Sequence, residues 1–272
     1  MKVLKTINDY NQWQSELSSN CCLGFVPTMG ALHRGHLSLV EKSINICNAT
    51  VVSIFLNPLQ FSPDEDLDTY PIDLESDLNK LSNMNVDAIF IPTASEIYPQ
   101  GDTFTIVENS FSKILEGKSR PKFFIGVLTV VSKLFNIIRP QKSFFGFKDA
   151  QQYLLVKKMV RDMKYPIEII SCPTIRELNG LAMSSRNTYL SDNHRERAKI
   201  IYESLLVGQQ EFNSGNFNSS AIKNLVKAHL QTESIIKIDY ISVLNSESLK
   251  EVEEIKFDAL LSLGVKIKDI RL

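Results

Sequence analysis

Over the first 173 residues, short apolar runs rich in Val, Ile and Phe alternate with helix-like runs, and this alternation restricts the fold more than any other feature of the chain. Residues 21–26, 50–55, 88–91 and 167–171 read as strands, and 143–146 as a further short one. Residues 37–47, 73–83, 127–138 and 150–163 carry helical spacing. Parallel strands need a crossover that a helix can fill, so the alternation predicts βαβ units and a parallel sheet. The strand runs are apolar almost without interruption, as suits strands covered on both faces. Ligands of such sheets bind beyond the carboxyl ends of the strands. The residues that follow each strand run are therefore where a site is expected.

The pattern changes near residue 174. Residues 192–212 form a charged helical stretch, 213–220 a polar Gly/Asn/Ser loop and 220–231 another helical stretch. Residues 239–243 and 259–263 read as strands. The expectation is a Rossmann-like α/β domain over residues 1–173, a parallel sheet flanked by helices, followed by a smaller C-terminal α+β domain over 174–272. A chain of 272 residues has room for both.

Bulk properties remove several classes of function. The formal net charge of −1 gives no basic bias toward nucleic acid. No apolar run reaches the roughly 18 residues of a membrane span, and the polar start Met1-Lys-Val-Leu-Lys-Thr is unlike a secretory core. The four cysteines, Cys21, Cys22, Cys47 and Cys172, form no Cys-x-x-Cys pair. They read as buried free thiols of a reducing compartment, which predicts a cytoplasmic protein.

The segment after the first long strand run is Pro27-Thr-Met-Gly-Ala-Leu-His-Arg-Gly-His36. It holds two of the chain's four histidines, His33 and His36, at a spacing that puts both on one helix face. Gly30 and Gly35 let the backbone approach a ligand closely. Free N–H groups and the positive dipole end at a helix start attract anions. The segment therefore reads as a phosphate-binding turn.

Other polar groups follow later strand runs. Asn57-Pro-Leu-Gln60 offers two amides suited to hydroxyl or carbonyl groups, or marks a strand-ending turn. In Phe147-Lys-Asp-Ala-Gln-Gln152, Lys148 can neutralise phosphate charge. Asp149 suits either a ribose hydroxyl or a helix cap. Gly180-Leu-Ala-Met-Ser-Ser-Arg-Asn187 combines a flexible Gly, two hydroxyls and a guanidinium able to grip phosphate in a bidentate manner. In Leu74-Glu75-Ser76-Asp77 the acids suit Mg²⁺ bound alongside nucleotide phosphates, or simply favour the first turn of a helix. Glu116-Gly-Lys-Ser-Arg-Pro121 contains Gly-Lys-Ser, but a P-loop needs Gly where Ser112 stands, so a P-loop NTPase is excluded.

Taken in order, these segments closely resemble the pantothenate synthetase (pantoate–β-alanine ligase) family, within the wider nucleotidyltransferases that share His-x-Gly-His. The likeness also takes in Phe55-Leu-Asn-Pro-Leu-Gln-Phe61, Asp68-Thr-Tyr-Pro71, Gly126-Val-Leu-Thr-Val-Val-Ser-Lys-Leu-Phe-Asn136 and Pro173-Thr-Ile-Arg-Glu-Leu-Asn-Gly180. It implies a two-step, ATP-dependent ligation of pantoate and β-alanine through pantoyl adenylate, with Mg²⁺, in a homodimer whose smaller domain forms a lid. By the same likeness, His33, His36, Lys148, Ser184, Ser185 and Arg186 steady the triphosphate. Pro27, Thr28, Met29, Gly30, Gly146, Asp149, Ile175 and Met183 complete the ATP contacts. Gln60, Gln152 and Met29 hold pantoate, Asn57, Gln60 and Arg120 hold β-alanine, and Asp77 holds the metal. Three positions depart from the family pattern. Phe123 replaces a usual His and Phe147 a usual Glu, and residues 263–272 drift from the usual ending. None of these removes a phosphate-handling residue.

Overall fold

The computed structural model describes residues 1–63 and 65–272. Its helices are α1 (Ile7–Ser15), α2 (Arg34–Ile46), α3 (Leu74–Ser82), α4 (Ala94–Ile97), α5 (Glu116–Ser119), α6 (Phe123–Ile138), α7 (Ala150–Asp162), α8 (Asp192–Arg197), α9 (Ile200–Asn213) and α10 (Ser219–Leu230). The strands of the first sheet are β1 (Lys2–Leu4), β2 (Leu23–Thr28), β3 (Ala49–Ile54), β4 (Ala88–Phe90), β5 (Lys142–Gly146) and β6 (Glu168–Cys172). They lie in the order β1-β4-β3-β2-β5-β6, and every pair is parallel.

This order reverses direction between β2 and β5. From β2 the chain steps outward through β3 and β4, then returns to the other side for β5 and β6. A crevice opens at such a switch point, beyond the strand ends, because the connections on either side leave in opposite directions. The turns after β2 and β5 are therefore neighbours, though more than a hundred residues separate them in sequence.

Alternate strand residues build the two layers of core, as the two-residue period of a strand requires. Phe25, Val51, Phe90 and Phe145 face one layer, with Tyr10 and Trp13 of α1, Leu128 and Phe135 of α6, and Val156 of α7. Val26, Val52, Ile89 and Phe144 face the other, with Leu39 and Val40 of α2 and Leu81 of α3. Burial on both faces explains why these strands read as nearly continuous apolar runs.

The chain divides into two compact units, residues 1–113 with 120–175 and residues 114–119 with 176–272. A boundary at 173/174 would leave 114–119 in the first unit. That segment joins the second through side chains: Glu116 pairs with Arg271 at 2.7 Å, and the Ser119 hydroxyl donates to Asp239 at 2.6 Å. The second unit carries an antiparallel sheet of β7 (Ile236–Asn245), β8 (Ala259–Ile267) and β9 (Ile270–Arg271), with α8, α9 and α10.

Several elements differ from the sequence-based expectation. The single helix expected over 192–212 is two. Bonds of the tighter i-to-i−3 kind, Ile201 N–H to Ala198 and Tyr202 N–H to Lys199, break the ladder between α8 and α9. Strands β7 and β8 run longer than the five-residue runs read from composition. Helix α6 starts four residues earlier, at Phe123. β1 and α1 lie outside the expected elements: β1 is too short to display a period, and only Tyr10 and Trp13 of α1 are buried.

Candidate active site

The expected phosphate turn leaves β2 at Thr28. The Thr28 hydroxyl donates to the Ser53 carbonyl at 2.7 Å and accepts from Gly30 N–H at 3.2 Å. Gly30 (φ 87°) and Ala31 (φ 51°) are both left-handed, so the chain reverses within two residues. His33 then caps α2, and His36 lies in its first turn.

The two histidines are fixed by backbone N–H groups. His33 Nδ1 accepts from Gly35 at 3.1 Å, and His36 Nδ1 accepts from His33 at 3.4 Å. Each bond requires an unprotonated Nδ1, so each neutral ring carries its proton on Nε2. The rings stack with centroids 4.1 Å apart and planes inclined by 29°. Desolvation, with His33 close by, pushes the His36 imidazole down to about 3. His36 is therefore neutral at physiological pH, a hydrogen-bond donor through Nε2 and not a cation.

Across the switch point, Phe147–Asp149 forms a 3-10 turn after β5, and His36 feels the charges of both Lys148 and Asp149. Asp149 stands at the N-cap position of α7 but makes no capping hydrogen bond, and its side chain is 59% exposed. Of its two expected roles, the cap is thus set aside. Lys148 Nζ lies 3.2 Å from Asp149 Oδ1. Gly146, at the end of β5, borders open space. Phe147 packs edge-on against Tyr153, with centroids 5.9 Å apart, which accounts for an apolar residue at that position. Gln151 turns inward to the Phe111 carbonyl at 2.7 Å, while Gln152 is only half-buried.

Three expected site residues already have partners within the protein. Asn57 is 1% exposed. Nδ2 donates to Gln60 Oε1 at 2.9 Å and to the Gly126 carbonyl at 3.1 Å, and Oδ1 accepts from Tyr98 OH at 2.8 Å. Asn57 thus fixes the oxygen of the Gln60 amide.

Arg120, the second, is buried and gripped by Glu65 through Nε and through Nη2 at 2.9 Å. Nη2 also donates to the Gln60 carbonyl at 3.1 Å, and the guanidinium stacks on Phe123 at 3.8 Å. Phe123, where the family has His, supplies cation–π contact in place of a polar one.

Asp77 is the third. It is 1% exposed, its Oδ1 accepts from Leu32 N–H at 2.8 Å, and Lys80 Nζ is 3.6 Å away. Asp77 Oδ1 therefore already faces one N–H and one ammonium. Among the described residues no group of three or more His, Cys, Asp and Glu side chains is arranged for a metal.

In the second unit, Arg176 and Ala182 are bridged antiparallel around Gly180 (φ 91°), and Arg176 stacks on Tyr202 at 3.7 Å. Met183 follows this turn. Ser184 Oγ caps the 3-10 turn Ser185–Tyr189 by accepting from Arg186 N–H at 3.3 Å, and Asn187 anchors the turn on Glu177 at 2.7 Å.

The residues missed from sequence are Lys80, Glu65 and Tyr98. Only Lys80 left a local signal, its i,i+3 spacing from Asp77 on a helix. Glu65 and Tyr98 meet Arg120 and Asn57 across 55 and 41 residues.

The family model for pantoate-beta-alanine ligase matches residues 2–272. The pantothenate synthetase of Thermosipho africanus is 45% identical over 273 residues, covering 100% of the chain and 98% of that protein. The pantothenate synthetase of Acetivibrio thermocellus is 44% identical, at 100% and 97% coverage. Among solved structures, the pantothenate synthetase of Thermus thermophilus superposes with a TM-score of 0.95 at 38% identity, covering 100% of the chain and 97% of its own. The pantoate-beta-alanine ligase of Francisella tularensis, complexed with beta-gamma ATP and beta-alanine, gives 0.83 at 37% identity, at 100% and 95% coverage.

Proposed function

The chain belongs to the pantoate–β-alanine ligase family, and from that premise we propose how its residues divide the work of joining pantoate to β-alanine with ATP. In the first step a pantoate carboxylate oxygen bonds to the α-phosphorus of ATP, and the bond to pyrophosphate breaks. In the second, the neutral amine of β-alanine bonds to the acyl carbon, AMP leaves with the bonding electron pair, and the nitrogen gives up one proton to solvent, keeping the other as the amide N–H. Neither step needs a protein nucleophile. Positioning and neutralisation of charge on the phosphates are the main tasks.

The observation that carries the assignment is the stacked His33–His36 pair with both Nδ1 atoms fixed by backbone N–H groups. Its two Nε2–H donors suit the triphosphate as charge develops, and cost no reorganisation because the backbone has already set their tautomers. Lys148 supplies positive charge and Asp149 an open carboxylate for the ribose. Pro27, Thr28, Met29, Gly30, Gly146 and Ile175 line the nucleotide. Met183, Ser184, Ser185 and Arg186 are proposed as the second unit's contribution to ATP. Gln60 and Gln152 take pantoate, with Asn57 acting through Gln60. Arg120 meets the carboxylate of β-alanine by exchanging it for Glu65.

We propose that Mg²⁺ travels with the ATP phosphates, an arrangement that needs few protein ligands, and that Asp77 has no part in holding it. A homodimer, a cytoplasmic location and closure of residues 176–272 over the nucleotide complete the proposal. Four free thiols support a reducing compartment. No helix among the described residues is long and apolar enough to cross a membrane. Sedimentation at working concentration tests the dimer. Amide exchange across 183–187 tests closure, which predicts slowing when ATP and pantoate are both present.

The deciding experiment is pantoate-dependent exchange of pyrophosphate into ATP, followed by pantothenate formation when β-alanine is added. Exchange without β-alanine is expected. Its absence from the purified protein with Mg²⁺ would overturn the reading.

A further inference from the structure

The turn that sets the two histidines is unfavourable on its own. Gly30 and Ala31 are consecutive left-handed residues, and Ala pays a steric cost there that Gly escapes. Such a conformation persists only where its surroundings over-determine it. Those surroundings include the Thr28 hydroxyl, on Gly30 N–H, and one turn of α3.

Leu32, the residue before the His33 cap, has both backbone groups held by that turn. Its N–H donates to Asp77 Oδ1 at 2.8 Å, and its carbonyl accepts from Lys80 Nζ at 2.8 Å. Residues three apart on a helix share a face, so one pair of side chains reaches both groups. The second oxygen, Asp77 Oδ2, lies 3.2 Å from where a Cβ on Gly30 would stand, beneath the reversal itself. The Leu32 side chain is sunk in the core at the same point. Lys80 is also among the charges that His36 feels.

We propose that Asp77 and Lys80 are positioning residues that clamp the phosphate-binding turn at Leu32, with the lysine ammonium serving as the fixed cation of the Asp77 carboxylate. This rests on the ligase reading above. The pair touches neither substrate nor reacting atoms. It acts by keeping Leu32, and hence the His33 cap and the His36 ring bonded to it, in one place. A divalent ion at Asp77 would have to displace the Leu32 N–H or stand against the ammonium.

The test uses the full-length protein and pantoate-dependent ATP–pyrophosphate exchange over a range of Mg²⁺ concentrations. Lys80→Met removes the donor to Leu32, and Asp77→Asn keeps an acceptor while removing the charge. A misplaced histidine pair should lower the maximal exchange rate about 10- to 100-fold in Lys80→Met, with the KM for pantoate moving less than about threefold. Lys80→Arg should restore most of the rate. The Mg²⁺ concentration giving half the maximal rate should match wild type in both variants. The ¹⁵N signals of the His33 and His36 rings should shift in the folded variants, which a purely stabilising role would not require. A wild-type maximal rate in Lys80→Met would overturn the proposal. So would an Asp77→Asn protein whose full rate returns at high Mg²⁺, since that would make Asp77 a metal ligand. Failure of the wild-type chain to exchange at all would instead remove the ligase reading.

Discussion

The turn after β2 and the pocket around Arg120 hold their functional groups in opposite ways. In the first, the two histidine rings are fixed by backbone N–H groups two and three residues away, Gly35 to His33 and His33 to His36. In the second, local contacts such as Asn57 to Gln60 are joined by ones that span tens of residues: Glu65 to Arg120, Tyr98 to Asn57, Asn57 to Gly126. Under the proposed function the first region is a pre-set donor array for phosphate. The second already holds a carboxylate of its own beside Arg120. The difference predicts a rigid nucleotide half and an exchangeable second-substrate half.

The largest expected effect would break that contrast at its stronger end. His36→Ala removes a fixed donor to developing charge and should lower ATP–pyrophosphate exchange about 100- to 1,000-fold, as loss of an oxyanion-type donor does. Exchange within tenfold of wild type, a loss of roughly 1.4 kcal/mol, would show that the pair is not the phosphate anchor.

The weaker end is tested by Arg120→Met. Removing one partner of a buried charge pair should raise the KM for β-alanine by about 10- to 100-fold, with some loss of stability from the stranded Glu65. Exchange, which needs no β-alanine, should fall far less. Equal losses in exchange and in pantothenate formation would join the two regions into one.

Gly126→Ala probes the scaffold between them. A Cβ at Gly126 would stand 2.2 Å from the Leu59 carbonyl, so α6 and the turn bearing Gln60 must separate. Overpacking of this kind costs about 1–3 kcal/mol, read as a lowered denaturation midpoint. Pantoate affinity should weaken with it, whereas nucleotide affinity should not.

The smallest effect is on pH. The His36 imidazole titrates near 3 when folded and near 6.5 when unfolded. Between those values the unfolded chain binds the extra proton, so stability contributed by neutral His36 is present above about pH 6.5 and declines as pH falls toward 3. Chemical denaturation at pH 7.5 and 5 should show a loss that His36→Gln reduces. No difference between the two proteins would mean that the imidazole is not desolvated.

How much could be read in advance follows the same contrast. The His33/His36 turn was legible because strand, glycine and helix start are contiguous, and each leaves a local mark. The parallel sheet was legible because strands buried on both faces are largely apolar, as residues 23–28 and 49–54 are apart from Thr28, Thr50 and Ser53. Asn57, Arg120 and Asp77 were found as candidates, but their partners were not. An amide or a guanidinium advertises hydrogen bonding without saying to whom, and only folding brings Tyr98 to Asn57 and Glu65 to Arg120. Asp149 shows the converse. A cap and a ligand contact look alike in sequence, and the structure removes only the cap, since Asp149 makes no capping bond.

The sequence by itself determined the α/β class, the strand–turn–helix that carries the two histidines, and the family, because each is written in neighbouring residues whose spacing physics restricts. Only the tertiary structure decided which polar groups remain to meet a substrate. Burial requires each polar atom to be paired, and pairing is a property of distance in space. Asp77, read as a metal ligand, meets the Leu32 N–H and lies beside Lys80, and Arg120 is paired with Glu65.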